Sequence, residues 1–225
     1  MRYFPALISC TLLTGLTAKA GIQLLTNGDF ETGSLAGWTV TSSVGSGGTW
    51  LPDNSIFTPL TGNPTVGPKS GKWYAVTDQF GPGQNALSQS FAVPVGTTSV
   101  LLSFDMFIND WGPFFDLADE YMRFGVQAAG ANPITGAFLA LGTISGPELV
   151  TGGVPNPYVH YSLDLTSIAH AGGTYQLDFL ESDTNFNMNV GVDNVSVSEV
   201  PEPGSVALLA SVLAGVIICA RRRLA

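Results

Sequence analysis

Cysteine is nearly missing from this chain of 225 residues, and the two that occur, Cys10 and Cys219, lie close to its ends. Between residues 21 and 200 there is none, which excludes a disulfide framework, a thiol nucleophile and a cysteine metal site from that stretch. Basic residues are almost as scarce. Lys69, Lys72 and Arg123 stand against sixteen acids there, a net charge of −13. A surface so acidic repels phosphates; it excludes nucleic acid as a partner and suits calcium or neutral polymers. Histidine occurs only as His160 and His170, with no Gly-x-Ser-x-Gly elbow to make a serine hydrolase, and both read as surface residues. Helical periodicity and repeats of fixed period are also missing from 21–200.

What is present instead is period-two alternation between turn residues. In 99–109, Val100, Leu102, Phe104, Met106 and Ile108 share one parity, with Ser103, Asp105 and Asn109 on the other beside Leu101 and Phe107. Segments 121–128, 158–166, 174–180, 85–93, 72–78, 38–42 and 22–26 give further strands, and 189–197 a last one. In that last strand Val190 and Val192 have one parity and Val195 and Val197 the other, so a β-bulge is expected at Asp193-Asn194. The Gly-, Pro-, Thr- and Ser-rich stretches 44–68 and 129–157 read as long surface loops with room for a short strand each. The fold class is all-β, a single sandwich domain over 21–199.

The two ends are of another kind. Met1-Arg2, an apolar stretch from Phe4 to Leu16 and Ala18-Lys19-Ala20 make a signal peptide, 1–20, cut by signal peptidase after Ala20. At the other end, 200–225, Pro201-Glu202-Pro203 precedes an apolar run over 206–220 and then Arg221, Arg222 and Arg223. The run carries no charge and is apolar all round, which suits a short transmembrane helix more than a core helix. The arginines form a cytoplasmic stop. The prolines favour the extended backbone that a protease or transpeptidase needs. This tripartite order resembles the PEP-CTERM sorting signal of Gram-negative bacteria. The resemblance implies export, temporary anchoring in the inner membrane, recognition by an exosortase, and a setting of exopolysaccharide and biofilm.

A second resemblance joins both ends of the expected sandwich. Asn27-Gly28-Asp29-Phe30-Glu31, followed by Gly37-Trp38, together with Asp193-Asn194-Val195, is similar to the corresponding ends of galactose-binding-like jelly rolls, a group that includes many carbohydrate-binding modules. It implies a jelly-roll topology and a structural Ca2+ held by Glu31 and Asp193, with carbonyls of the first loop and of residues 70–73 as further ligands. The residues alone leave another role open, in which Asp29 and Glu31 cap turns.

The most unusual loop is Asn109-Asp110-Trp111-Gly112-Pro113-Phe114-Phe115-Asp116. A sugar site needs aromatic faces for C–H surfaces and carboxylates for hydroxyls, and Trp111, Phe114, Phe115, Asp110 and Asp116 offer both. The same aromatics also suit a satellite core folded over the sandwich edge. Trp38, Trp50 and Trp73 read as core or rim packing. No pair of carboxylates stands out as a hydrolase dyad, and no catalytic residue is assigned. The expected function is that of a non-catalytic surface or matrix protein that binds exopolysaccharide. A purely structural matrix protein and a polysaccharide-active enzyme are the alternatives.

Overall fold

The computed structural model describes residues 21–112, 119–146, 149–184 and 188–201, with side chains through Glu199. The expected signal helix and membrane helix lie outside them. Among the described residues no helix is long and apolar enough to cross a membrane.

Eleven strands form two antiparallel sheets. They are β1 (Ile22–Gln23), β2 (Thr39–Ser42), β3 (Gly48–Asp53), β4 (Tyr74–Gln79), β5 (Gly83–Ala92), β6 (Thr97–Asp110), β7 (Tyr121–Ala128), β8 (Phe138–Ile144), β9 (Val159–Asp164), β10 (Thr174–Asp183) and β11 (Met188–Pro201). One sheet runs β3-β4-β11-β6-β9, with β1 also paired to β11; the other runs β2-β5-β10-β7-β8. Sequence neighbours are therefore often sheet strangers, as a jelly roll requires.

The alternation in β6 holds. Val100, Leu102, Phe104, Met106 and Ile108 are buried between the sheets. Phe104 is the hub, with ring centroids 4.8 Å from Phe124, 4.9 Å from Phe179 and 5.3 Å from Tyr161. Such aromatic pairs contribute about 0.5–1.5 kcal/mol each beyond their burial. The opposite face of β6 is not simply polar. Phe107 packs with Tyr74, Val76 and Tyr158 in a second cluster on the outside of the six-stranded sheet. Residues 54–72 cross over that cluster. Tyr158 Oη donates to Gly67 O at 2.9 Å, and Tyr74 Oη donates to Asp53 Oδ2 at 2.9 Å.

Both expected loops contain a strand, β3 and β8, each at a sheet edge. Pro52 fits in β3 because an edge strand need not donate on both sides. β1 is shorter than expected. The Gln23 side chain takes over from the main chain: Oε1 accepts from Leu24 N, Leu25 N and Val197 N. The bulge in β11 is found where the valine parity placed it, between Asp193 and Ser196, with Asn194 at φ 54°. Val190, Val192, Val195 and Val197 are all buried as a result.

Candidate functional site

The first loop and the bulge meet. Val195 N donates to Gly28 O at 2.8 Å, and a Cβ on Gly28 would collide with Val195 O. Only glycine allows this approach. Phe30, at φ 56°, is driven into the core against Trp38, 5.6 Å between centroids. Glu31 is thereby turned outward beside the start of β4. Its Oε1 accepts from Lys72 N at 2.7 Å and Trp73 N at 2.9 Å. From the other side, Asp193 Oδ2 accepts from Lys69 N and Ser70 N, both at 2.9 Å, and Oδ1 accepts from Asn194 N at 2.7 Å. The two carboxylates thus bracket one turn, residues 69–73. β4 pairs with β11 only as far as Val192, so the turn before β4 falls beside Asp193. Gly71, at φ 60°, sits at its centre, where a Cβ would strike the Glu31 carboxylate.

The electrostatics of the pair are opposed. The amides of Lys72 and Trp73 hold the exposed Glu31 carboxyl below its usual range. Burial pushes Asp193 up to about 6; hydrogen bonds from Ser70, Asn194 and Lys69 oppose this, and the charge of Glu31 adds to it. Among the described residues the sole ion pair is His160 Nδ1 with Asp105 Oδ1, 3.1 Å, so neither carboxylate is neutralised by Lys or Arg contact. Asn194 Nδ2 also donates to Asp105 Oδ2 at 2.9 Å. A shallow hollow of about 600 Å³ lies beside Glu31, lined by Thr26, Asn27, Asp29, Ala36 and Gly37 among others, and Asp193 is not part of its lining. No group of three or more His, Cys, Asp or Glu side chains is placed to hold a metal among the described residues. A hard cation here would rest on two carboxylates and on main-chain carbonyls, a donor set calcium accepts.

The Trp111 loop is described only in part; Phe114, Phe115 and Asp116 lie outside the described residues. Trp111 is half-buried, and its Nε1 donates to Asn189 Oδ1 at 2.8 Å on the outer side of the six-stranded sheet. Asp110 points the other way, between the sheets, with 2% of its surface exposed. Its Oδ1 accepts from Gly112 N at 2.7 Å, and burial, with the charge of Asp183, raises its pKa. Asp110 is therefore within electrostatic reach of Asp183 inside the molecule. Asn85 Nδ2 donates to Glu181 at 3.1 Å and Gln79 Nε2 to Asp183 at 2.6 Å. Burial pushes the Glu181 carboxyl well above its usual range; the Asn85 bond opposes this, and the charges of Asp183 and Asp78 add to it. All three acids are buried. The histidines are exposed, while Trp38 and Trp50 are buried and Trp73 packs on the core, as expected.

Sequence reasoning passed over the outer face of the five-stranded sheet. Its rows, read across β5, β10 and β7, are Gln84-Ser182-Tyr121, Ala86-Leu180-Arg123, Ser88-Asp178-Gly125 and Ser90-Gln176-Gln127. The polar groups lock one another. Gln84 Nε2 donates to Tyr121 Oη at 3.0 Å; the Arg123 guanidinium lies 4.1 Å from the Tyr121 ring centroid; Gln176 Nε2 donates to Asp178 Oδ1 at 3.0 Å. Burial, opposed by the Gln176 bond, raises Asp178 to about 7. Two buried polar atoms on this face lack a partner, the donor Arg123 Nε and the acceptor Gln127 Oε1. Four residues apart on β7, they stand about 13 Å from each other along the strand. The signal was available: Arg123 is the only arginine between residues 21 and 200, and it falls at a polar parity.

Comparisons with known proteins agree with this architecture. Residues 199–223 match the PEP-CTERM protein-sorting motif. No curated protein matches the chain. Among solved structures, TmCBM61, a carbohydrate-binding module in complex with beta-1,4-galactotriose, superposes with a TM-score of 0.52 at 14% identity, covering 78% of this chain and 97% of that one. A cleaved adhesin domain of Lys-gingipain from Porphyromonas gingivalis superposes with a TM-score of 0.52 at 16% identity, covering 79% of this chain and 98% of that one. At such identities the likeness shows the fold alone. The chain carries a PEP-CTERM sorting signal, the mark of an exported protein, behind a jelly-roll β-sandwich of the kind found in carbohydrate-binding modules.

Proposed function

We propose that the protein is a non-catalytic, exosortase-sorted component of the cell surface or extracellular matrix. It binds exopolysaccharide across the outer face of the five-stranded sheet. One observation carries the binding site: Arg123, half-buried beside the Tyr121 ring, keeps its Nε donor unpaired on that face. Leaving such a group unpaired costs about 1–3 kcal/mol, and sugar hydroxyls donate and accept equally well. Tyr121 adds an aromatic ring, and the network with Gln84, Gln176 and Asp178 holds the face rigid before a ligand arrives. On the other sheet residues 54–72 cross the outer face over Tyr74, Phe107 and Tyr158, and the unpaired donors Asn109 Nδ2 and Asn189 Nδ2 lie beside Trp111. Glu31 and Asp193 would hold a structural Ca2+ that fixes the turn at 69–73, away from the glycan face. When bound, the ion supplies charge neutralisation for the two carboxylates.

Affinity electrophoresis of the secreted protein through gels containing the polysaccharide of its own matrix tests this. Arg123→Ala is expected to abolish the retardation, with Trp111→Ala close to the parent. Retardation lost only in Trp111→Ala would move the site to the loop. No retardation at all would favour a purely structural matrix protein, and shortened polysaccharide would favour an enzyme.

A further inference from the structure

The outer face of the five-stranded sheet is an exception to the charge of the domain. β2 adds Thr39 and Thr41 to the rows of β5, β10 and β7, and β8 adds Leu141 and Thr143. Across those rows the strands contribute one base, Arg123, and one acid, Asp178, although three bases and sixteen acids lie between residues 21 and 200. Lys69 is on the side of the other sheet, with Nζ 5.8 Å from the Tyr158 ring centroid. Asp119 reaches the margin of the face, where its main-chain carbonyl accepts from Ser182 Oγ at 2.9 Å. Among the described residues no carboxylate forms an ion pair with Arg123. Asp178, its diagonal neighbour on β10, is turned to Gln176 instead; both carboxylate oxygens accept from Gln176 Nε2, at 3.0 and 3.3 Å. Burial, which that bond opposes, raises Asp178 to about 7, so its charge is incomplete at neutral pH. Among the described residues the guanidinium is thus the one full charge on the face. The Tyr121 ring centroid lies 4.1 Å to one side of it, and Nε has no acceptor.

We propose that the polysaccharide taken by this face is acidic and that a uronate carboxylate pairs with the N–H edge of Arg123, an assignment that rests on the glycan-binding function proposed above. A guanidinium meets a carboxylate through two parallel N–H bonds in one plane. Such charge-assisted bonds are shorter than those to a hydroxyl and about twice as strong. The Tyr121 ring takes one side of the guanidinium and leaves its edge to a planar partner. A neutral chain accepts from Nε through a hydroxyl but leaves a half-buried cation without a counter-charge. The rest of the domain, with its net charge of −13, repels an acidic chain. That repulsion serves selectivity. It keeps the polymer off the other surfaces and leaves the place where a cation is not already neutralised.

The test uses the secreted protein in affinity electrophoresis against two probes. One is the polysaccharide of its own matrix; the other is the same polysaccharide with its carboxyl groups reduced to primary alcohols. Reduction keeps the linkages and the length of the chain and removes only the charge. The native polymer is expected to bind about tenfold more tightly than the reduced one. Arg123→Gln is expected to bring the two polymers to the same affinity. Arg123→Lys, which keeps the charge without the fork, is expected to fall between Arg123→Gln and the parent. The comparison is made within each protein, so a variant that misfolds loses both polymers and does not imitate the expected result. Equal retardation of the parent by both polymers, or a stronger one by the reduced polymer, overturns the acidic ligand and leaves the glycan-binding reading standing. A preference for the native polymer that survives Arg123→Gln overturns the assignment to Arg123. A parent retarded by neither polymer overturns the glycan-binding reading itself, which separates the failures.

Discussion

Asp178 shows how much a single polar position on a sheet face depends on its neighbours. It sits between Leu177 and Phe179, both fully buried on the inner side, so its outward direction is plain from alternation. Its burial is not. Gln176, two residues away, donates to it, a contact that a linear pattern does not record. The consequence is measurable. Its folded pKa of about 7 lies above the ordinary value near 4. The folded state therefore binds the proton more tightly than the unfolded chain. That contribution is complete below about pH 4 and is lost as pH rises towards 7. Asp193, raised to about 6, acts in the same direction. Asp178→Asn is expected to unfold at higher urea than the parent at pH 8 and to show a flatter decline between pH 4 and 7. Three pK units correspond to about 4 kcal/mol as an upper bound. Equal losses for the variant at pH 5 and pH 8 would refute this account.

At the scale of elements, strands with a clean alternation were legible and strands at the edges were not. β6, β7 and β10 follow from apolar parity. The bulge in β11 followed from valines that change parity at Asp193-Asn194, since no other local device keeps both pairs inside. β3 was hidden by Gly48 and Pro52, which an edge strand tolerates. β8 was hidden because Phe138-Leu139-Ala140-Leu141 is apolar without alternation, and Leu139 and Leu141 stay half exposed. The clamp between first loop and last strand was visible as Glu31 and Asp193; what the sequence could not show is that they grip opposite ends of the same turn. That grip depends on Gly28, whose missing side chain lets the first loop touch Val195. Gly28→Ala is expected to destabilise the domain by about 1–3 kcal/mol, the range of a forced backbone shift. The check is a lower urea midpoint with unchanged slope. A midpoint equal to the parent would mean that the loop and the bulge are not coupled.

Over the whole molecule, charge is the dominant imbalance: three bases against sixteen acids in 21–200, with no disulfide to offset the self-repulsion. The fold concentrates part of that repulsion where its two ends join. Glu31 and Asp193 tie the first loop and the last strand to one turn, and the charge of Glu31 helps raise Asp193. A divalent cation shared by the two would relieve it and close the sandwich across its chain termini. If calcium binds the folded state alone, a concentration one hundred times Kd stabilises it by about 2.7 kcal/mol. For a domain of this size that raises Tm by roughly 5–10 °C. The rise is expected with millimolar calcium over a chelator at pH 7.5. It should shrink below about pH 6, where Asp193 holds a proton that the cation must displace. Asp193→Asn and Glu31→Gln should each abolish the rise, whereas Asp110→Asn, enclosed at another point between the sheets, should leave it in place. Magnesium, which demands a stricter octahedron, should substitute poorly. A Tm indifferent to calcium at pH 7.5 in the parent would leave Glu31 and Asp193 as main-chain caps and nothing more.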